Sequence, residues 1–256
     1  MITKKELLDY AKIKGFSLGN AEKDYLIDMA LSSISRHTKN ELVFKGGTCL
    51  YKFHNLNRFS EDIDFSVRSK IDVDNLLMKI IADFEKHGIY ATIHEKKEPH
   101  NSVLITLRIK GPLFLGNPMT YANLGIDINL KSEVVLEPEF LSYNSIYPDI
   151  ASISAFCMNS QEIFAEKIRA IMSRERARDL FDLNFLLEKK IHASLDIISK
   201  KLEYYNEKFD LNKFTLRIQS LEKVWKKELM GFTSFVPDFN VVSKTVIEKI
   251  GKMLKK

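Results

Sequence analysis

Phe44 to Phe65 reads Phe-Lys-Gly-Gly-Thr-Cys-Leu-Tyr-Lys-Phe-His-Asn-Leu-Asn-Arg-Phe-Ser-Glu-Asp-Ile-Asp-Phe, a Gly-Gly-Thr turn followed by two aspartates two residues apart in an apolar run. Leu42, Val43 and Phe44 read as a short buried strand, Gly46, Gly47 and Thr48 as a turn, and Cys49 to Phe53 as a helical turn. Backbone N–H groups at a helix start favour an anion, so this corner predicts a phosphate site. Side chains alternate along a strand, which puts Asp62 and Asp64 on one face and turns Ile63 and Phe65 into the core. Two adjacent carboxylates repel unless a cation compensates them. The stretch therefore predicts a shared metal and phosphate pocket.

The flanking sequence supplies the rest of a sheet. Lys4 to Lys14 and Asn20 to Thr38 carry apolar residues at helical spacing, with Gly15 after the first helix and Asn20 as the expected N-cap of the second. Asp72 to His87 places Leu76, Leu77, Ile80, Ile81 and Phe84 on one stripe, with Asp72 or Asp74 as cap and Gly88 as stop. That helix should cover the sheet. Tyr90 to His94, Val103 to Ile109 and Leu124 to Leu130 read as further strands, separated by Pro- and Gly-bearing turns. Val134 to Ser160, with Pro138 and Pro148, reads as a connector with a short strand at Ala151 to Phe156. Beyond it, Gln161 to Lys190, Ser194 to Lys208, Leu211 to Leu229 and Val241 to Leu254 are helical by period. The expected fold class is α+β: a mixed sheet with helices in residues 1–150, then a helical region in residues 151–256.

Composition narrows the function classes. With 45% hydrophobic and 29% charged residues and few Gly or Pro, the 256-residue chain reads as a compact, helix-rich protein and not a disordered one. No apolar run is long enough for a membrane span, and the N-terminus leads into an amphipathic helix, so the expected location is the cytoplasm with no membrane partner. Cys49 and Cys157 stand alone, which leaves disulfide and zinc-ribbon readings without support and predicts two buried thiols. The six histidines show no metal-binding spacing. From Lys189 onward fifteen Lys or Arg stand against eight Asp or Glu, so the basic excess sits in the last quarter of the chain. That excess reads either as solvated helix faces or, with Tyr204, Tyr205 and Trp225 interspersed, as a surface for a polyanion such as RNA.

A third acid, Asp127 in Gly125-Ile126-Asp127-Ile128-Asn129, lies on another expected strand. Asp62, Asp64 and Asp127 would make an oxygen cage suited to Mg²⁺ or Mn²⁺, ions that share their shell with substrate phosphates, so a nucleoside triphosphate (NTP) is the natural ligand. Two such ions could activate an attacking hydroxyl and stabilise the leaving oxygen. Lys167, Arg174 and Arg178 fall on one face if their helix is continuous, and Asp179 and Asp182 share a face too. Those five residues alone fit an ordinary salt-bridged helix pair as well, Arg178 with Asp182 for instance. Arg58 and Ser60 precede the acidic pair and are candidates for phosphate contact; Phe59 should pack beneath the strand. His54 should meet carbonyls or the helix dipole at a helix end.

Gly46-Gly47-Thr48-Cys49-Leu50 followed by Arg58-Phe59-Ser60-Glu61-Asp62-Ile63-Asp64-Phe65 resembles the first motif of the AbiEii/AbiGii-type toxins, a branch of the DNA polymerase β-like nucleotidyltransferases. Glu166-Lys167-Ile168-Arg169-Ala170 and Arg178-Asp179-Leu180-Phe181-Asp182-Leu183 resemble that family's later motifs, in the same order. The resemblance implies a polymerase β-like core, magnesium, an NTP substrate, an RNA acceptor such as tRNA and a cognate antitoxin in a type IV toxin–antitoxin or abortive-infection system. It also implies roles. Asp62 and Asp64 would hold metal, with Asp127 as third carboxylate by strand context. Gly46, Gly47, Thr48 and Lys167 would hold the triphosphate, and Asp182, or Asp179 in its place, would be the late acid, as base or ligand. A nucleotide sensor or RNA-binding protein without turnover is the alternative, and a metal-dependent nuclease a more distant one.

Overall fold

The computed structural model describes residues 1–131 and 134–253. These form two compact units. The first comprises Met1–Asn55, Phe59–Val134 and Pro138–Cys157; the second comprises Leu56–Arg58, Val135–Glu137 and the chain from Met158 onward.

The first unit opens with helices α1 (Lys4–Lys14) and α2 (Leu18–His37). Thr3 and Glu6 form a capping box at the start of α1, and Gly15 ends it in the left-handed conformation that glycine adopts without a Cβ penalty. The N-cap of α2 is Ser17, not Asn20: the Ser17 hydroxyl accepts the Asn20 N–H, so the helix begins one turn earlier than its sequence suggests. Strand β1 (Leu42–Lys45) runs directly into α3 (Gly46–Phe53), and β2 (Ile63–Val67), α4 (Val73–Lys86), β3 (Tyr90–Lys97), β4 (Ser102–Lys110), β5 (Ala122–Asn129), β6 (Glu139–Tyr143) and β7 (Ile153–Cys157) follow.

The seven strands form one sheet in the order β3-β4-β5-β2-β1-β7-β6. It is mixed: β2 runs parallel to β5 and β1 parallel to β7, while the other neighbours are antiparallel. Alternation decides the core. Ile63, Phe65, Ile105, Leu107, Ile126 and Ile128 are buried, while the intervening residues of β4 and β5 are half-buried or, at Leu104 and Asn123, exposed. Helices α2 and α4 pack on each other, α4 against β3 and α2 against β5 and β7. Strand β6 was not expected. Its sequence, Glu-Phe-Leu-Ser-Tyr, lies at the sheet edge with Phe140 largely exposed, so it carries no buried alternation to betray it. Cys49 and Cys157 are buried, free and mutually hydrogen-bonded, one on α3 and one on β7 opposite Phe44.

The second unit is helical: α5 (Ser160–Ser173), α6 (Ala177–Glu188), α7 (Leu195–Glu203), α8 (Leu211–Ser220), α9 (Glu222–Leu229) and α10 (Phe239–Met253). The helix expected over 161–190 is broken, since Arg174 and Arg176 are extended. No Gly or Pro marks that break. The stretch from Leu211 to Leu229 is likewise two helices, joined at Leu221, and Leu254 lies outside the described residues. Segment 135–137 is held inside this unit by the Glu162 carboxylate, which accepts the N–H groups of Val135 and Leu136 at 2.9 and 2.8 Å.

Candidate active site

In the first unit, one face of the sheet gathers the acids. Asp64 on β2 is directly opposite Asp127 on the parallel neighbour β5, and the antiparallel register places Lys45 on the other side of Asp64. Paired positions on adjacent strands share a face. Lys45, Asp64 and Asp127 thus form a row across three strands, with Asp62 two residues before Asp64.

Two glycines make room for these carboxylates. Gly125 faces Asp62, and a Cβ built on it would meet Asp62 Oδ1 at 2.8 Å. Gly46, with φ of +76°, lies so close to the Asp64 carboxylate that a Cβ there would collide with it. Its left-handed backbone also disfavours any side chain. Helix α3 begins at this glycine, and the first-turn amides of Gly46, Gly47 and Thr48 have no partner within the helix. The Thr48 hydroxyl donates to the Asp62 carbonyl, tying the turn to the strand that carries the acids. Gly125 and Lys45 were not singled out from the sequence; only strand register reveals them.

The far end of α3 is anchored by charge. Lys52 is buried with its Nζ 2.6 Å from both Asp24 and Asp28 of α2. Lys14 also reaches Asp24 at 2.6 Å, and the hydroxyls of Tyr147 and Ser145 complete Asp24 and Asp28. Burial opposes the Lys52 ammonium, but the two carboxylates outweigh it and hold its pKa above the ordinary lysine value. His54 is the C-cap of α3, its backbone N–H donating to the Leu50 carbonyl; its Nε2 is buried without a hydrogen-bond partner among the described residues, and burial pushes its pKa down. Phe59 is buried against Phe16 and Tyr51, and Ser60 is buried beside it.

The second unit gathers the later motif residues around a buried ion-pair chain. Arg58 donates from both Nε and Nη2 to the two oxygens of Asp182, at 2.6 and 2.7 Å. Lys167 on α5 lies 2.7 Å from Asp182 and 2.8 Å from Asp179 on α6. Arg174 closes the chain with two bonds to Asp179, at 2.8 and 3.1 Å. Burial alone raises the Asp179 carboxyl, but Lys167 and Arg174 outweigh it and hold it well below the usual carboxylate range. Burial likewise lowers Lys167, and Asp179 and Asp182 reverse the effect and raise it. The anticipated Arg178–Asp182 pairing gives way to this arrangement, with the Arg178 guanidinium stacked 4.9 Å over the Phe232 ring.

Among the described residues, no three or more His, Cys, Asp or Glu side chains are gathered tightly enough to form a ready metal cage. The donor set nonetheless suits magnesium, which takes one or two carboxylates and completes its shell with water and substrate phosphates. Two glycine-walled carboxylates and an opposed third are the side chains that would supply those ligands. No helix among the described residues is long and apolar enough to cross a membrane.

Comparison with known proteins gives this arrangement a family. Residues 30–249 match the family model described as nucleotidyl transferase AbiEii toxin, type IV TA system. Among solved structures, MenT4, a nucleotidyltransferase toxin from Mycobacterium tuberculosis, aligns with a TM-score of 0.65 at 16% identity, covering 100% of this chain and 91% of that one. JHP933 from Helicobacter pylori aligns with a TM-score of 0.59 at 21% identity, covering 94% of this chain and 97% of the other. At such identities these two establish likeness of fold. No curated protein sequence matches the chain. A family match over most of the sequence, on a mixed α+β fold shared with a known toxin, makes this chain a member of the AbiEii family of nucleotidyltransferase toxins of type IV toxin–antitoxin systems.

Proposed function

We propose that the protein transfers a nucleoside monophosphate from a Mg²⁺- or Mn²⁺-bound NTP to a hydroxyl of an RNA acceptor such as tRNA, and that a cognate antitoxin restrains it in the cytoplasm. The observation that carries this reading is the Asp64–Asp127 opposition on neighbouring parallel strands, with Asp62 beside it and α3 starting at Gly46.

Asp62 and Asp64 would hold the cation, with Asp127 completing the acidic face. A bound divalent ion supplies charge neutralisation at the transferred phosphoryl group and favours the ionised form of the attacking hydroxyl. The amides of Gly46, Gly47 and Thr48 bind phosphate oxygens at the positive end of a helix. Catalysis is then mostly placement and electrostatic stabilisation, as in phosphoryl transfer generally.

The roles implied for the later residues need refinement. Both Asp182 oxygens accept from Arg58, and Lys167 approaches as well, which suits a carboxylate that positions its neighbours better than one that takes a proton. Lys167 and Arg174 bond to Asp179 and Asp182 within the second unit, so a nucleotide contact by either rests on the family resemblance alone. Ser60 and Arg178 are further candidates for nucleotide contact, and Arg58, like Lys167, is a candidate already engaged by Asp182.

The test is transfer of label from an α-labelled NTP to RNA. Asp64→Ala is expected to abolish transfer and pyrophosphate release while melting as a folded protein. Undiminished transfer by the folded variant refutes the assignment. NTP binding by the unsubstituted protein without pyrophosphate release selects the sensor reading.

A further inference from the structure

The face that bears Asp127 continues across β4 and β3 into a patch of a different character. Alternation along β5 puts Tyr121, Asn123, Gly125 and Asp127 on one side. The register then sets Leu104 of β4 opposite Asp127, Thr106 opposite Gly125 and Arg108 opposite Asn123, with Lys110 opposite Tyr90 of β3. Arg108 lies 5.6 Å over the Tyr121 ring, and Lys110 lies 4.6 Å over Tyr90 and 5.3 Å over Phe114. Phe114 and Tyr121 pack against each other at a tilt, with centroids 4.8 Å apart.

These two cations differ from their neighbours. Lys96 and Lys97 on β3 are neutralised by Asp74, Glu98 and Glu95, whereas Arg108 and Lys110 make no ion pair among the described residues. Arg108 contacts the His94 ring nitrogen at 2.9 Å, and its Nε is buried without a hydrogen-bond partner among the described residues. A protein that pairs most of its charges here holds two positive groups against aromatic rings and leaves their charge uncompensated. Tyr90 is half exposed.

We propose that this patch is the platform for a single-stranded RNA acceptor. Arg108 and Lys110 meet its phosphates, and Tyr90, Phe114 and Tyr121 offer ring faces to its bases. Arg108 is four residues along β4 from the position opposite Asp127, roughly 13 Å at strand rise, and the floor between them is Thr106, Asn123 and Gly125. A strand lying there extends along the same face toward the acids. The inference rests on the nucleotidyltransferase reading for the reason the strand is held, but the binding surface is testable without turnover.

The experiment uses the full chain, a fluorescein-labelled single-stranded RNA of mixed sequence, and anisotropy titrations over a range of salt. Arg108→Gln with Lys110→Gln is expected to weaken binding about tenfold or more and to lower the salt slope by about 1.4, about 0.7 for each phosphate that is no longer neutralised on a single strand. Tyr121→Ala is expected to weaken binding about tenfold with the salt slope unchanged. Lys110→Arg should bind as the unsubstituted protein does, and thermal stabilisation by Mg·NTP should be the same in all variants. The proposal is overturned if the unsubstituted protein binds no RNA, if the variants bind with unchanged affinity and slope, or if only the NTP response moves, which would make the patch a base site for the incoming nucleotide. RNA binding through these residues in a protein that transfers no label leaves the platform standing and removes the transferase reading. Label transfer to RNA with variant binding unchanged does the reverse.

Discussion

Gly125 and Gly46 each border a carboxylate, yet they should fail differently when given a side chain. Gly125 has an ordinary backbone, so Gly125→Ala should leave the melting temperature nearly unchanged while displacing the Asp62 carboxylate. The expected result is a several-fold rise in the Mg²⁺ concentration needed for half-maximal label transfer. Gly46→Ala adds a left-handed backbone penalty of about 1–2 kcal/mol to its collision with Asp64, so it should lower stability and transfer together. Equal behaviour of the two variants would contradict the cradle described for Asp62. At Asp179 the expected signature is in pH. A carboxyl held below its unfolded value of about 4 contributes stability that is present above that value and lost as pH falls through the folded one. Asp179→Asn should therefore cost most at neutral pH, and its deficit in melting temperature should shrink on acidification below about pH 4. The Lys167 ammonium, raised by the same pairing, loses its contribution only as pH climbs past the ordinary lysine range.

Helix α3 is short, and it is pinned at both ends: by Thr48 at its first turn and by Lys52 near its last. Lys52→Met leaves Asp28 and part of Asp24 buried without compensation, a destabilisation of about 3–5 kcal/mol. Adding Asp28→Asn should recover a large part of that loss in a denaturant melt; no recovery would mean that Lys52 acts through its packing instead. This anchor also shows what the sequence hides. The i, i+2 acids and the Gly15 end of α1 follow from local rules, and the strands other than β6 from alternation or short apolar runs; the expected Gly46–Thr48 turn is instead the first turn of α3, and the structure sets Asp64 opposite Asp127 on adjacent strands. Nothing local in the sequence says that Lys52, Asp24 and Asp28 meet in the interior. The break between α5 and α6 is equally silent, since Arg174-Glu175-Arg176 carries no breaker. There the Arg174 and Lys167 bonds to Asp179 accompany a turn that helical period alone would have continued.

At the scale of the whole chain, the helical unit is not one continuous piece of sequence. It includes Leu56–Arg58 and Val135–Glu137, and both contribute to buried charge: Arg58 neutralises Asp182, and the N–H groups of Val135 and Leu136 satisfy Glu162. A fragment starting at Met158 lacks them and would carry two buried carboxylates short of partners. It is expected to show reduced helical circular dichroism and no sharp thermal transition, although every one of its helices is encoded within it. A cooperative melt of the isolated fragment would show that these interactions are dispensable.

The neighbouring thiols of Cys49 and Cys157 have a practical consequence. Both are sealed in the interior and sit on the two elements flanking β1, and burial raises the Cys49 pKa well above that of a free thiol, keeping it protonated and unreactive. A thiol reagent reaches them only when the strands part. Their labelling kinetics would time the breathing of the sheet centre, and a bound nucleotide that slowed the reaction would report its grip on the neighbouring helix without any radioactive substrate.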